Sequence, residues 1–426
     1  SRPSMSQLLR AGEVTYAIVT LFALTQGPIY RLWSESASYV AVSPEPSALH
    51  VYFATFVAAQ IPSLVILANK DDVGVFQTRT FQLLAGFLSW LGLTLLWSMF
   101  ARHSVPEFVS LVMTTSFGMY LVVRFSLPMV WWIVTAAMSI GMLLSWIAIW
   151  ADWSLAVSVE EGYWAGIYFN RNSLAPVAAV ALIAAVGVIV SSTHLGVARR
   201  VVVTLVCCVV GLSAVTMMIG AESRTSPFAL GVAVVVVLVW LATRRLLKLI
   251  SESVRLRGNS LPIAAVVMAV TVFFAVRLVG GLTGVSGKTA TFNSRGVLWS
   301  VSWSGFLEKP FHGWGWMAAW RTPNFLRQGE WWVLWNTEWS HNGYHDILLG
   351  GGIPAALLFA CFLWFGLRGI ESDLPRSQGV VTVILVAFVL TAATQESFFI
   401  GSHFLWALLI AGISSPFAKP WSADST

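Results

Sequence analysis

Charge is scarce in this chain: Asp, Glu, Lys and Arg make up 10% of its 426 residues, whereas 57% are hydrophobic. A soluble domain carries about 25% charged residues, and mean hydropathy here is +0.77. So much apolar surface cannot be hidden in one soluble core, and lipid is the solvent that accommodates it. Cysteine is nearly absent. Cys207, Cys208 and Cys361 all sit in apolar runs, with no CxxC or His/Cys spacing to suggest a disulfide or a zinc site. The formal charge of +6 does not mark a nucleic-acid partner, because the basic residues lie in short loops between apolar runs.

What is abundant is apolar sequence in runs of about 20 residues, the length of a membrane-crossing helix. Such runs are expected near 14–30, 47–68, 80–101, 107–123, 128–150, 173–191, 201–219, 228–246, 261–280, 347–367, 379–395 and 399–415. They predict one all-α, polytopic membrane domain over residues 1–426 with about twelve spans. The runs at 107–123 and 399–415 are short. No cleavable leader is expected, since the first run leads into a chain that stays in the membrane; Ser1 reads as a trimmed start.

Orientation follows from Lys and Arg. Most of the 25 fall on the side that both termini share, the densest group running from Arg244 and Arg245 through Lys248 and Arg255 to Arg257. Both termini are therefore expected in the cytoplasm. Arg171, Arg224, Lys288, Arg295, Lys309, Arg321 and Arg327 lie on the other side, against the usual bias. Snorkelling to lipid phosphates is the plain account of such residues and is favoured for Arg321 and Arg327.

Three outer segments stand out. Gly162 to Ser173 leads into the sixth span, where Asn172 or Ser173 can cap the helix with Pro176 in its first turn. Capping leaves the adjacent Arg171 unexplained. Ala221 to Pro227 is a tight loop in which Ser226 and Pro227 look like a helix start, so Arg224 falls near the positive end of a helix dipole. A cation there is unfavourable unless an anion shares the site, and the two together would make an anion cradle. Residues 281–346 form the one large loop, between the ninth and tenth spans. It opens on Gly281, Gly284 and Gly287 and ends on Ser340-His341-Asn342-Gly343-Tyr344-His345-Asp346. Trp299, Trp303 and Phe306 recur at helical spacing, predicting a short amphipathic helix on the membrane. The tryptophans crowding this loop, from Trp299 to Trp339, read first as an interfacial belt and second as a platform for sugar rings or a polyprenyl chain.

Outer arginines with a histidine suit transfer of a sugar from a lipid diphosphate. Guanidinium groups stabilise the departing phosphates by bidentate hydrogen bonds without a metal. A neutral imidazole can take the acceptor proton, and His341 is the candidate, with His312 and His345 behind it. A histidine merely hydrogen-bonding at a helix start is the equally plain account of His341. Sugar-transferring enzymes that hold a divalent ion commonly use paired acids, and no Asp-x-Asp occurs. No metal and no cofactor is expected.

Several runs occur in order: Phe169-Asn170-Arg171-Asn172, Glu222-Ser223-Arg224-Thr225, Ser294-Arg295-Gly296-Val297-Leu298-Trp299, Lys309-Pro310-Phe311-His312-Gly313-Trp314-Gly315, and Ser340-His341-Asn342 running to Ile353. Together, over residues 160–367, they resemble the O-antigen ligase/polymerase superfamily. The resemblance implies a GT-C-like, metal-independent, inverting glycosyltransferase of the bacterial cytoplasmic membrane that uses undecaprenyl-diphosphate-linked glycans on the outer face. It implies diphosphate binding by Arg224 and Arg295, with Arg171 as a further phosphate contact, and catalysis by His341. Asn342, Asn172 and Tyr344 take supporting parts, Asn342 orienting His341 or the acceptor. The compact, Trp-rich loop departs from the family and leaves the acceptor open between glycan, lipid and protein. The His341-Asn342 pair points to a ligase over a polymerase of lipid-linked repeats, and against a cell-wall polymerase built on an acidic outer residue. A flippase of lipid-linked sugars would need charged or broken helices near the midplane, whereas these spans are nearly free of ionisable residues.

Overall fold

A computed structural model describes residues 5–27, 46–69, 74–153, 156–159, 161–250, 259–266, 290–322 and 339–417. The expectations for the ninth span beyond 266, for Gly281, Gly284, Gly287 and Lys288, and for Arg327, Trp331, Trp332 and Trp335 lie outside the described residues. Within them every element is helical, and one isolated bridge pairs Val157 with Trp164. The helices are α1 (Met5–Ala23), α2 (Pro46–Ala68), α3 (Arg79–Leu93), α4 (Ala101–Arg124), α5 (Leu127–Trp150), α6 (Arg171–Ser191), α7 (Val197–Ala221) and α8 (Thr225–Ile250). They continue with α9 (Ala290–Glu308), α10 (Gly343–Asp373), α11 (Arg376–Ala392) and α12 (Phe404–Ser414). Among the described residues, 7 helices are long and apolar enough to cross a membrane, namely α3 to α8 and α10.

The last run departs from expectation. α12 has 11 residues, all buried; it rises about 16 Å, well short of a hydrocarbon core about 30 Å thick. A helix apolar on every side is buried in a protein core or in a membrane, and α12 is covered by its neighbours in this chain. Trp406 Nε1 donates to Thr115 Oγ1 of α4 at 2.9 Å, and a Cβ on Gly118 would stand 2.5 Å from the Ala407 carbonyl oxygen.

The chain divides into two compact units, one of Ser1–Asp72, Ser110–Leu230 and Gly401–Thr426, the other of Val73–Val109 and Gly231–Ile400. In the first, α6 packs between α5 and α7 and is buried along most of its length. Its alanines and Gly187, whose Cα side lies against the Trp131 ring, permit that close approach. Arg124 grips Glu13 in a two-point bridge, Nε to Oε1 at 2.6 Å and Nη2 to Oε2 at 2.7 Å, tying α4 to α1.

In the second unit α10 packs against α3 and α9. α10 is broken at Gly352, whose φ of 66° and ψ of −162° no helix contains. The break frees backbone groups that lipid cannot satisfy, and the Pro310–Trp316 turn takes them up. Ile353 N–H donates to the Pro310 carbonyl and Trp314 N–H to the Leu349 carbonyl, both at 2.7 Å. Trp90 Nε1 donates to the Gly351 carbonyl at 2.6 Å. Leu298, Phe306, Trp314, Ala319, Trp320 and Leu349 form the core beside this joint. Two expectations change here. The amphipathic element is the 19-residue α9, which buries Leu298 and Phe306 against protein and leaves Trp303 half exposed. Trp314, Trp316 and Trp320 are core residues, no more than 5% exposed, so neither belt nor platform describes them.

At Gly352 a Cβ would stand 2.6 Å from the Pro310 oxygen, in a backbone conformation that only glycine adopts freely. Gly352→Ala should cost about 3 kcal/mol, read as a fall in thermal midpoint of the detergent-purified protein. Gly12→Ala, where nothing lies within 4 Å, should raise that midpoint slightly, a helix-interior gain of about 0.5–1 kcal/mol.

Candidate active site

α10 starts at a cap. Asn342 Oδ1 accepts from the N–H groups of Tyr344 at 3.1 Å and His345 at 3.3 Å, a pair that the helix leaves without internal partners. The Asn342 side-chain oxygen thus caps the helix, a part the sequence reading did not assign to it. The chain enters the cap through His341 at φ 49°, a left-handed conformation held in a non-glycine residue only where the surroundings impose it.

Glu396 holds the imidazole. His341 Nδ1 lies 2.8 Å from Glu396 Oε2, and Arg295 Nη2 donates to Glu396 Oε1 at 2.5 Å. Arg295 Nη1 donates to the Gln395 carbonyl at 2.6 Å. Glu396 belongs to the segment between α11 and α12, which the start of α10 braces. Gly343 N–H donates to the Ala393 carbonyl at 2.8 Å, and Tyr344 OH donates to the Leu390 carbonyl at 2.9 Å. The Tyr344 ring stands edge-on to Phe399, centroids 5.1 Å apart. The supporting part expected of Tyr344 is therefore to brace the segment that carries Glu396.

Burial alone would raise the Glu396 pKa, but the hydrogen bond and charge of His341, with those of Arg295, outweigh it and hold the carboxyl below its ordinary 4.5. A charged carboxylate only accepts, so the hydrogen-bond pattern assigns a proton to His341 Nδ1. In the neutral imidazole Nε2 then carries the lone pair. An acid that fixes the tautomer and orientation of a histidine is the arrangement that prepares a general base.

Arg171 and Arg224 lie in the first unit. The cap of α6 is Asn170, not Asn172 or Ser173: its Oδ1 accepts from Asn172 N–H at 2.9 Å and Ser173 N–H at 3.1 Å. Pro176 falls beyond the first turn, inside the helix. Asn172 Oδ1 instead accepts from Ser223 Oγ at 3.1 Å, joining the start of α6 to the turn before α8. Arg171 lies over the Tyr163 ring, 4.8 Å from its centroid, with Nη1 3.2 Å from Glu161 Oε2. That pair is exposed enough to be worth only about 0–1 kcal/mol. Glu222 closes α7 in the left-handed conformation, and the Arg224 carbonyl accepts the first bond of α8 from Phe228 N–H at 3.2 Å. The Arg224 side chain is exposed, and among the described residues no acid pairs with it. The structure thus brings Arg295 and His341 together on Glu396, and joins Asn172 to the turn that carries Arg224.

Residues 208–360 match a protein-family model described as O-antigen ligase. That stretch is similar to the O-antigen ligase/polymerase superfamily. A comparison with curated proteins finds no match. The matched stretch holds Arg224, Arg295, His341, Asn342 and Tyr344, while Arg171 and Asn172 precede it and Glu396 follows it. With its apolar helices the chain is a multi-pass membrane protein.

Sequence reasoning does not reach Glu396, the carboxylate on which Arg295 and His341 converge, because Gln395-Glu396-Ser397 is part of no motif. One signal was available: the expected topology puts the turn between the last two runs on the same face as the Arg and His loops, and Glu396 is the acid in that turn. Glu396 binds fewer protons folded than unfolded. Its contribution to stability is full above the ordinary carboxylate pKa and is lost as pH falls through the lowered one. Glu396→Ala should cost about 3 kcal/mol near pH 7, the scale for removing one partner of a buried ion pair. In thermal unfolding against pH, its deficit relative to wild type should close below pH 4.5.

Proposed function

We propose that the chain is an O-antigen ligase-like glycosyltransferase. It moves a glycan en bloc from undecaprenyl diphosphate to an acceptor hydroxyl on the outer face of the bacterial cytoplasmic membrane, with both termini cytoplasmic, without a metal and with inversion. The observation that carries this reading is the Arg295–Glu396–His341 arrangement, in a chain whose residues 208–360 match the O-antigen ligase model.

Transfer needs a proton taken from the acceptor and negative charge stabilised on the departing diphosphate. His341 Nε2 accepts the hydroxyl proton as the oxygen bonds to the anomeric carbon and the bond from that carbon to the diphosphate oxygen breaks. A single displacement of this kind inverts the centre. Arg224, exposed at the start of α8, offers its guanidinium beside a helix N-terminus, a natural anion site. Arg295 has more N–H donors than its bonds to Glu396 and Gln395 use, so it can hold the carboxylate and a phosphate together. Arg171, weakly held by Glu161, can exchange that partner for a phosphate oxygen. Donors preset around developing charge contribute most to such a reaction.

The test is glycan transfer by the purified protein with an undecaprenyl-diphosphate oligosaccharide and candidate acceptors in EDTA. Wild type should transfer, and His341→Ala, Arg224→Ala and Arg295→Ala should each lose about 10²-fold or more while folded. Transfer by His341→Ala at the wild-type rate would remove the base and the reading with it. Growth of the lipid-linked repeat without another acceptor would identify a polymerase, and lipid crossing a bilayer with no glycosylation would identify a transporter.

A further inference from the structure

His341 is clamped from behind as well as at its ring. Ser340, fully buried, donates to Asp346 Oδ1 twice, through its N–H at 3.0 Å and its Oγ at 2.6 Å. Trp320 Nε1, also buried, donates to the same Oγ at 3.3 Å. Asp346 is 3% exposed and cannot meet a substrate. Nor does it cap α10, because Asn342 already does so and the Asp346 N–H donates to the Asn342 carbonyl at 3.1 Å. Its carboxylate reaches back past the cap to the residue before His341. A buried carboxylate is unfavourable, and well-packed apolar residues would hold such a turn at least as firmly if stability alone were needed.

The geometry points to Asp346, acting through Ser340, as a positioning residue for transfer. Ser340 is locked to the first turn of α10 by Asp346, and Asn342 is locked to the same turn by its capping bonds. His341 is the one residue between two fixed ones, and its left-handed φ of 49° closes the link. That backbone angle aims the ring so that Nδ1 meets Glu396 and Nε2 faces away from it. A misplacement of about 1 Å in a reacting group costs on the order of 10²-fold in rate. The inference rests on His341 as the base.

The experiment measures kcat and KM for the lipid-linked donor in Asp346→Ala, Asp346→Asn, Ser340→Ala and His341→Ala, with folding followed by thermal unfolding and gel filtration. Asp346→Ala should lower kcat about 10²-fold with KM nearly unchanged. Asp346→Asn keeps an acceptor oxygen and should recover most of that loss, a rescue that a purely structural role would not show in kcat. If His341→Ala is inactive while folded Asp346→Ala turns over like wild type, the positioning role is overturned and the base assignment stands. If His341→Ala is active, the base assignment itself fails. Should Asp346→Ala not fold, wild-type kcat in both Asp346→Asn and Ser340→Ala overturns the proposal. Activity that merely tracks the folded fraction in every variant overturns it too.

Discussion

Opening a helix inside a membrane leaves N–H and C=O groups that water cannot reach, each costing several kcal/mol if left alone (~2–7 kcal/mol). The break of α10 at Gly352 is tolerable because the Pro310–Trp316 turn and Trp90 bond the groups around it. That repair has a consequence for the site. The turn is continuous with α9, so docking it on the break draws α9 alongside α10 and packs Leu298, Phe306 and Trp314 against Leu349. Arg295 on α9 and His341 at the head of α10 then meet on one carboxylate. The break needs glycine twice, since a Cβ on Gly313 would press on the Gly350 oxygen and one on Gly352 on the Pro310 oxygen.

Scarcity of charge sharpens the reading of each charged residue. A buried ion must be paired or hydrogen-bonded, and the described helices obey this. Glu13 is held by Arg124, and Glu396 by Arg295 and His341. Glu371 accepts from Ser260 and from the Leu261 N–H, closing the start of the helical stretch at 260–266. Against that background Arg224 is exposed at the beginning of α8 with no acid beside it among the described residues.

Most of the described helices were legible from the apolar runs, with α9 the exception, and so was the start of α8 after Arg224, because hydropathy and helix starts are local properties of the chain. The caps were not legible: Asn172 or Ser173 was expected to cap α6, where Asn170 does so, and no capping role was read for Asn342, which caps α10. The tryptophans were misread for a physical reason. An indole suits an interface and a core equally, and burial of Trp314, Trp316 and Trp320 follows from the loop folding onto α10. The run at 399–415 was short in the sequence already, and it folds as the buried α12; a run of that length looks the same whether lipid or protein surrounds it.

By itself the sequence determined the class of molecule, most of the described helical segments and the family resemblance, and it singled out Arg295 and His341 as candidates, because composition and short motifs act within a few turns of chain. Only the tertiary structure decided that Glu396 joins those two residues and that Asp346 clamps Ser340. It also decided that Asn342 and Asn170 are caps. Glu396 stands 55 residues beyond His341 and outside the matched stretch, and no local pattern links them. A hydrogen bond between such distant residues exists because the helices carrying them pack together, and packing is a property of the whole chain.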